Sequence, residues 1–217
     1  MFTKKELASR IDASILRPDV TISELKRFCT QAKKYGFHSV AVNSINVASA
    51  KAFLRGSPVR VTSTIGYPLG AVPTKVKLEE VRIAIAAGAD ELDVVMNIGA
   101  LKSKQYDRVR KDLEAVVKAA RGRIVKVIIE TGLLSEEEII AACKCVKEAG
   151  AQFVKSGTGW GPAVTVKDIK LIRKTVGPGF GVKAAGGIRT ARQAFALLKA
   201  GADRLGISAA AKIVDEL

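Results

Sequence analysis

Three ionisable residues fall inside short runs that otherwise read as buried β-strand. Lys155 lies in Gln152-Phe153-Val154-Lys155-Ser156, Lys183 in Gly181-Val182-Lys183-Ala184, and Asp93 in Glu91-Leu92-Asp93-Val94-Val95. Side chains alternate between the faces of a strand, so Lys155 opposes Val154, Lys183 opposes Val182, and Asp93 opposes Leu92 and Val94. A lysine in a dry place must be paired or lose its charge. Desolvation or a second cation lowers its pKa from roughly 10.4 and leaves a free amine near neutral pH. Such an amine attacks carbonyl carbon and forms a Schiff base. Two lysines and a carboxylate therefore suit a nucleophile, a neighbour that lowers its pKa, and a proton relay. The same residues also suit a structural ion network, with Asp93 and Glu130 balancing Lys126, Lys155 and Lys183.

A second constellation suits an anion. Ala185-Gly186-Gly187-Ile188-Arg189-Thr190 ends a strand and opens a helix at Thr190, and Gly206-Ile207-Ser208 ends the next strand and opens another. Glycines let backbone N–H groups approach a phosphate, and a helix N-terminus adds partial positive charge. Ser156-Gly157-Thr158-Gly159 is a further donor-rich turn directly after Lys155.

The elements that must carry these residues repeat along the chain. Amphipathic stretches end at Gly36, Gly88, Gly150 and Gly201, spaced by 52, 62 and 51 residues, and an apolar run follows each. Glycine just past a helix is the expected left-handed cap. The spacing is close to two βα units of the size obtained by dividing the chain into eight. Strand-like runs are expected at Ile11–Leu16, Ser39–Val42, Val59–Ile65, Glu91–Val95, Val125–Ile129, Phe153–Lys155, Gly181–Ala184 and Arg204–Ile207, with helical patterns between them. Ser135-Glu136-Glu137-Glu138 and Thr165-Val166-Lys167-Asp168 carry helix-start signatures. Strict alternation predicts α/β architecture, a single (β/α)8 barrel over residues 1–217, with function at the C-terminal ends of its strands. There Lys155, Lys183 and Asp93 point inward, because the outer side lies under apolar helices. An open doubly wound sheet is the alternative, and no Gly-x-Gly-x-x-Gly follows the first strand to support it.

Composition narrows the field. The chain has 217 residues, 36 Lys plus Arg against 21 Asp plus Glu, a formal charge of +15, and 48% hydrophobic residues, which is ordinary globular usage. No apolar run approaches the ~20 residues of a membrane span, and the N-terminus lacks a secretory h-region. A cytoplasmic protein without membrane partners is expected. Three cysteines, two of them (Cys143 and Cys145) only two apart in a helical stretch, read as reduced packing residues. One histidine, His38, makes a histidine triad or multi-histidine metal site unattractive. The basic charge invites nucleic acid, but cations and anions are interleaved, aromatics are 5%, and no recognition motif appears. A catalytically silent basic barrel that binds nucleic acid is the remote alternative.

At these residues the chain resembles deoxyribose-phosphate aldolases, a class I aldolase family, over essentially its whole length. The matching stretches are Ile11-Asp12 with Leu16, Gly66-Tyr67-Pro68-Leu69-Gly70, Glu91 to Gly99, Lys126 to Thr131, Phe153-Val154-Lys155 with Thr158-Gly159, and Gly181 to Thr190. The resemblance implies reversible cleavage of 2-deoxy-D-ribose 5-phosphate to acetaldehyde and D-glyceraldehyde 3-phosphate. It puts the Schiff-base lysine at Lys155 and the proton-relay pair at Asp93 and Lys183. Substrate and phosphate contacts are implied at Asp12, Thr158, Gly159, Gly186, Gly187, Arg189, Gly206 and Ser208. No metal or other cofactor is implied, and a homo-oligomer is expected. Another phosphosugar aldolase or isomerase on the same barrel is the nearer alternative. The chain departs from the family's usual pattern at Ala41, Ser44, Ser156-Gly157 and Ala209. The absence of side-chain donors at Gly157 and Ala209 predicts weakened phosphate recognition.

Overall fold

β-Branched runs become strands and the amphipathic stretches between them become helices, alternating along the chain except for one pair of consecutive helices between the fourth and fifth strands. The computed structural model describes residues 3–217, so the first two positions of the barrel expected over 1–217 lie outside the described residues. A short helix α1 (Lys4–Ala8) precedes β1 (Ile11–Ile15), α2 (Ile22–Tyr35), β2 (Ser39–Val42) and α3 (Val47–Phe53). β3 (Arg60–Ile65), α4 (Thr74–Ala86), β4 (Glu91–Val95), α5 (Ile98–Lys102) and α6 (Tyr106–Ala119) follow. The second half runs β5 (Ile124–Ile128), α7 (Glu136–Glu148), β6 (Phe153–Lys155), α8 (Val166–Val176), β7 (Gly181–Ala185), α9 (Ala191–Lys199), β8 (Arg204–Ile207) and α10 (Ala210–Asp215). Thr21, Ser135, Thr165 and Thr190 each close a reciprocal capping box with the residue three further on, which satisfies N–H groups that the first helical turn leaves free. The four helix-ending glycines all have positive φ, as the chain needs to reverse there.

All eight strands are parallel, and β1 pairs with both β2 and β8, so the sheet closes. Closure excludes the open doubly wound alternative. Among the described residues, no helix is long and apolar enough to cross a membrane.

The register shows what fills the barrel. Asp93 lies level with Lys126, Lys155 with Lys183, Lys183 with Arg204, and Thr62 with Glu91. Outward positions are Val61, Leu92, Val94, Val125, Val127, Val154, Val182 and Leu205, all fully buried beneath the helices. The inward positions are polar instead: Asp12, Ser39, Thr62, Glu91, Asp93, Lys126, Lys155 and Lys183 are all buried. Barrels of this kind normally fill their interior with layers of branched apolar side chains. Here the apolar core is the shell between sheet and helices, and the barrel lumen is an ion network. Two inward lysines on consecutive strands are expected from sequence; the structure has three, because Lys126 on β5 also points in.

Candidate active site

The network converges on one carboxylate. Asp93 Oδ2 accepts from Lys155 Nζ and from Lys183 Nζ, each at 2.8 Å, and Asp93 Oδ1 accepts from Lys126 Nζ at 2.9 Å. Below this layer Lys183 Nζ lies 2.6 Å from Asp12 Oδ2, Lys126 Nζ lies 2.7 Å from Glu91 Oε2, and Arg204 donates to Asp12 Oδ1 at 3.2 Å. The Asp12 and Glu91 oxygens that face these ammonium groups are thus close, fully buried ion-pair partners. At the far end Arg60 and His38 Nε2 meet Glu91 Oε1 at 2.9 and 3.0 Å.

Burial and charge pull the protonation states apart. Desolvation pushes Asp93 up, but Lys126, Lys155 and Lys183 together hold it well below the usual carboxylate range. Asp12 is likewise buried and likewise held low, by Lys183, Lys126 and Arg204. For Lys126, three surrounding carboxylates outweigh burial and raise its pKa. Lys155 goes the other way. Burial lowers it, Asp93 opposes that, Lys183 adds to it, and the result is about 8. Burial is the main cause, and the charge count adds to it: five cations (Lys126, Lys155, Lys183, Arg204 and Arg60) share the three carboxylates Asp12, Glu91 and Asp93, so releasing the Lys155 proton reduces an excess of positive charge.

Lys155 also reaches a cleft, which Lys126 does not. A cavity of about 360 Å³ opens at the C-terminal face, lined by Lys155, Lys183, Tyr67, Thr158, Gly159, Trp160, Arg17, Gly186, Gly187, Arg189, Gly206 and Ser208 among others. The structure thus gathers both lysines, Thr158, Gly159 and all five expected phosphate-loop residues around one space. Asp93 lies directly beneath, bonded to both amines. Gly206 lacks a Cβ because one there would sit 3.2 Å from Lys183 Cε and 2.8 Å from Ala185 Cβ; its smallness makes the path for the lysine. Arg189 is exposed at the rim and has no ion-pair partner among the described residues.

Two expectations need correction. Asp12, expected among substrate contacts, lines no part of the cleft; it is fully buried and paired with Lys183. Gly157 was expected to cost the phosphate site a donor. A Cβ at Gly157 would instead face Glu130 Oε1 at 2.9 Å and the Ala185 carbonyl at 3.1 Å, so this departure takes nothing from the cleft. Sequence reasoning also missed Tyr67, whose hydroxyl donates to the Thr158 carbonyl at 3.0 Å, and Trp160 at the rim. Tyr67 falls in the Gly66-Tyr67-Pro68-Leu69-Gly70 stretch that carries the family resemblance, whereas no local spacing signals Trp160.

One trio of metal-ligating side chains comes within mutual reach among the described residues: Asp12, His38 and Glu91. Their oxygens already face Lys126, Lys183, Arg204 and Arg60, and a dication placed there would meet those cations. The donor set does not suit a metal.

Fold and site together define a (β/α)8 barrel enzyme of the aldolase type. The profile of the DeoC/LacD family aldolases matches residues 5–214, and the chain belongs to that family. It is 52% identical to the deoxyribose-phosphate aldolase of Thermococcus kodakarensis over 98% of this chain and 97% of that one. The enzyme of the same name from Aciduliprofundum boonei is 48% identical over 98% and 97% of the two chains. Among solved structures, the tetrameric deoxyribose phosphate aldolase of Aeropyrum pernix superimposes with a TM-score of 0.93 at 32% identity, covering 99% of this chain and 92% of that one.

Proposed function

We propose that the chain is a metal-independent class I aldolase that reversibly cleaves 2-deoxy-D-ribose 5-phosphate to acetaldehyde and D-glyceraldehyde 3-phosphate. The observation that carries this reading is the pair of amines on one Asp93 oxygen, at the floor of a cleft whose rim is built from two glycine loops. The Lys155 amine attacks C1 of the open-chain sugar, and loss of water leaves a protonated imine. That imine is the electron sink. The C3 hydroxyl loses its proton, the C2–C3 bonding pair moves into the imine, and C3 leaves as the aldehyde of glyceraldehyde 3-phosphate. An enamine remains; protonation at C2 and addition of water release acetaldehyde and regenerate the amine. Lys183 and Asp93 stand where they can pass these protons, Lys183 within the cleft and Asp93 one hydrogen bond behind. The Gly186-Gly187 turn, the start of α9, Arg189, Gly206 and Ser208 receive the phosphate.

Borohydride added with acetaldehyde tests the assignment: the reduced adduct should map to Lys155 and activity should disappear. An adduct on Lys183 or Lys126 would overturn the nucleophile. Turnover should also survive exhaustive chelation, since the imine does the work a Lewis acid would do. Loss of activity with EDTA, restored by zinc, would replace this mechanism with a class II one.

Three buried free thiols, each raised in pKa by burial, suit the reducing conditions of the cytoplasm. The tetramer of the Aeropyrum relative supports self-association, which a solution mass measurement checks.

A further inference from the structure

The turn that follows Lys155 is held by a carboxylate that the chemistry above does not use. Glu130, directly after β5, has φ 54° and ψ 65°, a left-handed backbone that a residue with a Cβ adopts only where its surroundings impose it. Its side chain is buried, and Oε2 accepts from the Thr158 N–H at 3.1 Å and from Thr158 Oγ1 at 2.5 Å. Thr158 Oγ1 in turn accepts from the Trp160 N–H at 3.1 Å. The chain wraps the carboxylate closely: a Cβ at Gly157 or Gly161 would stand 2.9 or 2.8 Å from Glu130 Oε1. Beyond it, the Val164 N–H donates to the Gly186 carbonyl at 3.1 Å, and Ala163 packs where a Cβ on Gly187 would lie 2.5 Å from its own. Residues 157–164 are therefore a strap, fastened to Glu130 at one end and to the Gly186-Gly187 turn at the other.

We propose that Glu130 is a positioning residue for the phosphate end of the site: by fixing Thr158 and the strap it fixes the Gly186-Gly187 cradle. The inference rests on the phosphosugar reading above. Glu130 lines no part of the cleft, so its effect passes through the strap alone.

The test uses Glu130→Gly, which removes the carboxylate and suits the left-handed backbone, and Glu130→Gln, which keeps an acceptor oxygen. Trp160, the chain's single tryptophan, lies on the strap and reports it by fluorescence. In Glu130→Gly, both KM for 2-deoxyribose 5-phosphate and the inorganic phosphate concentration that half-saturates the Trp160 signal should rise about tenfold, the scale of one charged hydrogen bond. The specificity constant for unphosphorylated 2-deoxyribose should fall much less, and Glu130→Gln should lie between parent and Glu130→Gly. Equal losses on both sugars, or no change in either readout, would overturn the proposal, and so would a parent whose fluorescence ignores phosphate. Should Glu130→Gly fail to fold, the ratio for Glu130→Gln against the two sugars decides by the same criterion. A parent that binds phosphate but cleaves neither sugar would remove the proposed function and leave the strap to be judged by the titration.

Discussion

Lys155→Met is expected to lower kcat/KM for 2-deoxyribose 5-phosphate by on the order of 10⁴ or more while substrate still binds. Methionine matches the lysine stem in length and apolar character, so the change removes the amine and little else. No other cleft group can replace it. Lys183 reaches the same space, but it is clamped between Asp12 at 2.6 Å and Asp93 at 2.8 Å. Losing a cation from a network with an excess of them should leave stability near the parent's. Single-turnover kinetics, equilibrium binding of the phosphosugar and thermal unfolding measure the three parts separately. Turnover within tenfold of the parent would mean that Lys155 is not the nucleophile.

Lys183→Leu should be nearly as damaging for a different reason, and the pH profile separates the two. In the parent, kcat/KM should rise with pH through about 8, as the free Lys155 amine forms. Burial is the main cause of that low value, and the Lys183 charge adds to it against the opposing pull of Asp93. Removing Lys183 therefore moves the rising limb toward the ordinary lysine value of roughly 10.4. It also breaks the proton path, so turnover at neutral pH should fall on the order of 10²- to 10⁴-fold. Asp12 is left with Arg204 and a more distant Lys126 at 3.7 Å, so some loss of stability accompanies the change. Arg189→Leu is the control: its loss should appear in KM, by roughly ten- to hundredfold, with kcat little altered. An unmoved pH midpoint with near-normal turnover in Lys183→Leu would make that lysine structural.

Much of this site is legible along the chain because barrel strands are local objects. A charged residue alternating with valines in a run of three to five residues must face away from the helices, and that alone turns Lys155, Lys183 and Asp93 inward. The glycine loops at the rim are legible for a related reason. Glycine pairs before a capping threonine mark a strand-to-helix turn wherever they occur, and Thr190 does cap α9. The third lysine was less plain. Lys126 alternates with Val125 and Val127 as clearly as Lys155 does with Val154, yet sequence offers it only a balancing part. Its place on the second Asp93 oxygen depends on β4 and β5 pairing with Asp93 level with Lys126.

By itself the sequence determined the alternating elements, the closed barrel's strand count, the inward faces, and the residue types at the strand ends. Those follow from periodicity, capping and glycine chemistry, which act over a few neighbouring residues. Only the tertiary structure decided which charges meet. Asp12 and Lys183 are 171 positions apart, and Asp93 and Lys183 are 90 apart. Closure of β1 on β8 brings Asp12 level with Gly206, whose missing side chain admits Lys183 to within 2.6 Å of Asp12. The burial of Lys155 and the cations around it, which together lower its pKa to about 8, exist only once all eight strands are in register. A pKa is set by distances between charges and by the water they have lost, and neither is written in the order of residues along a chain.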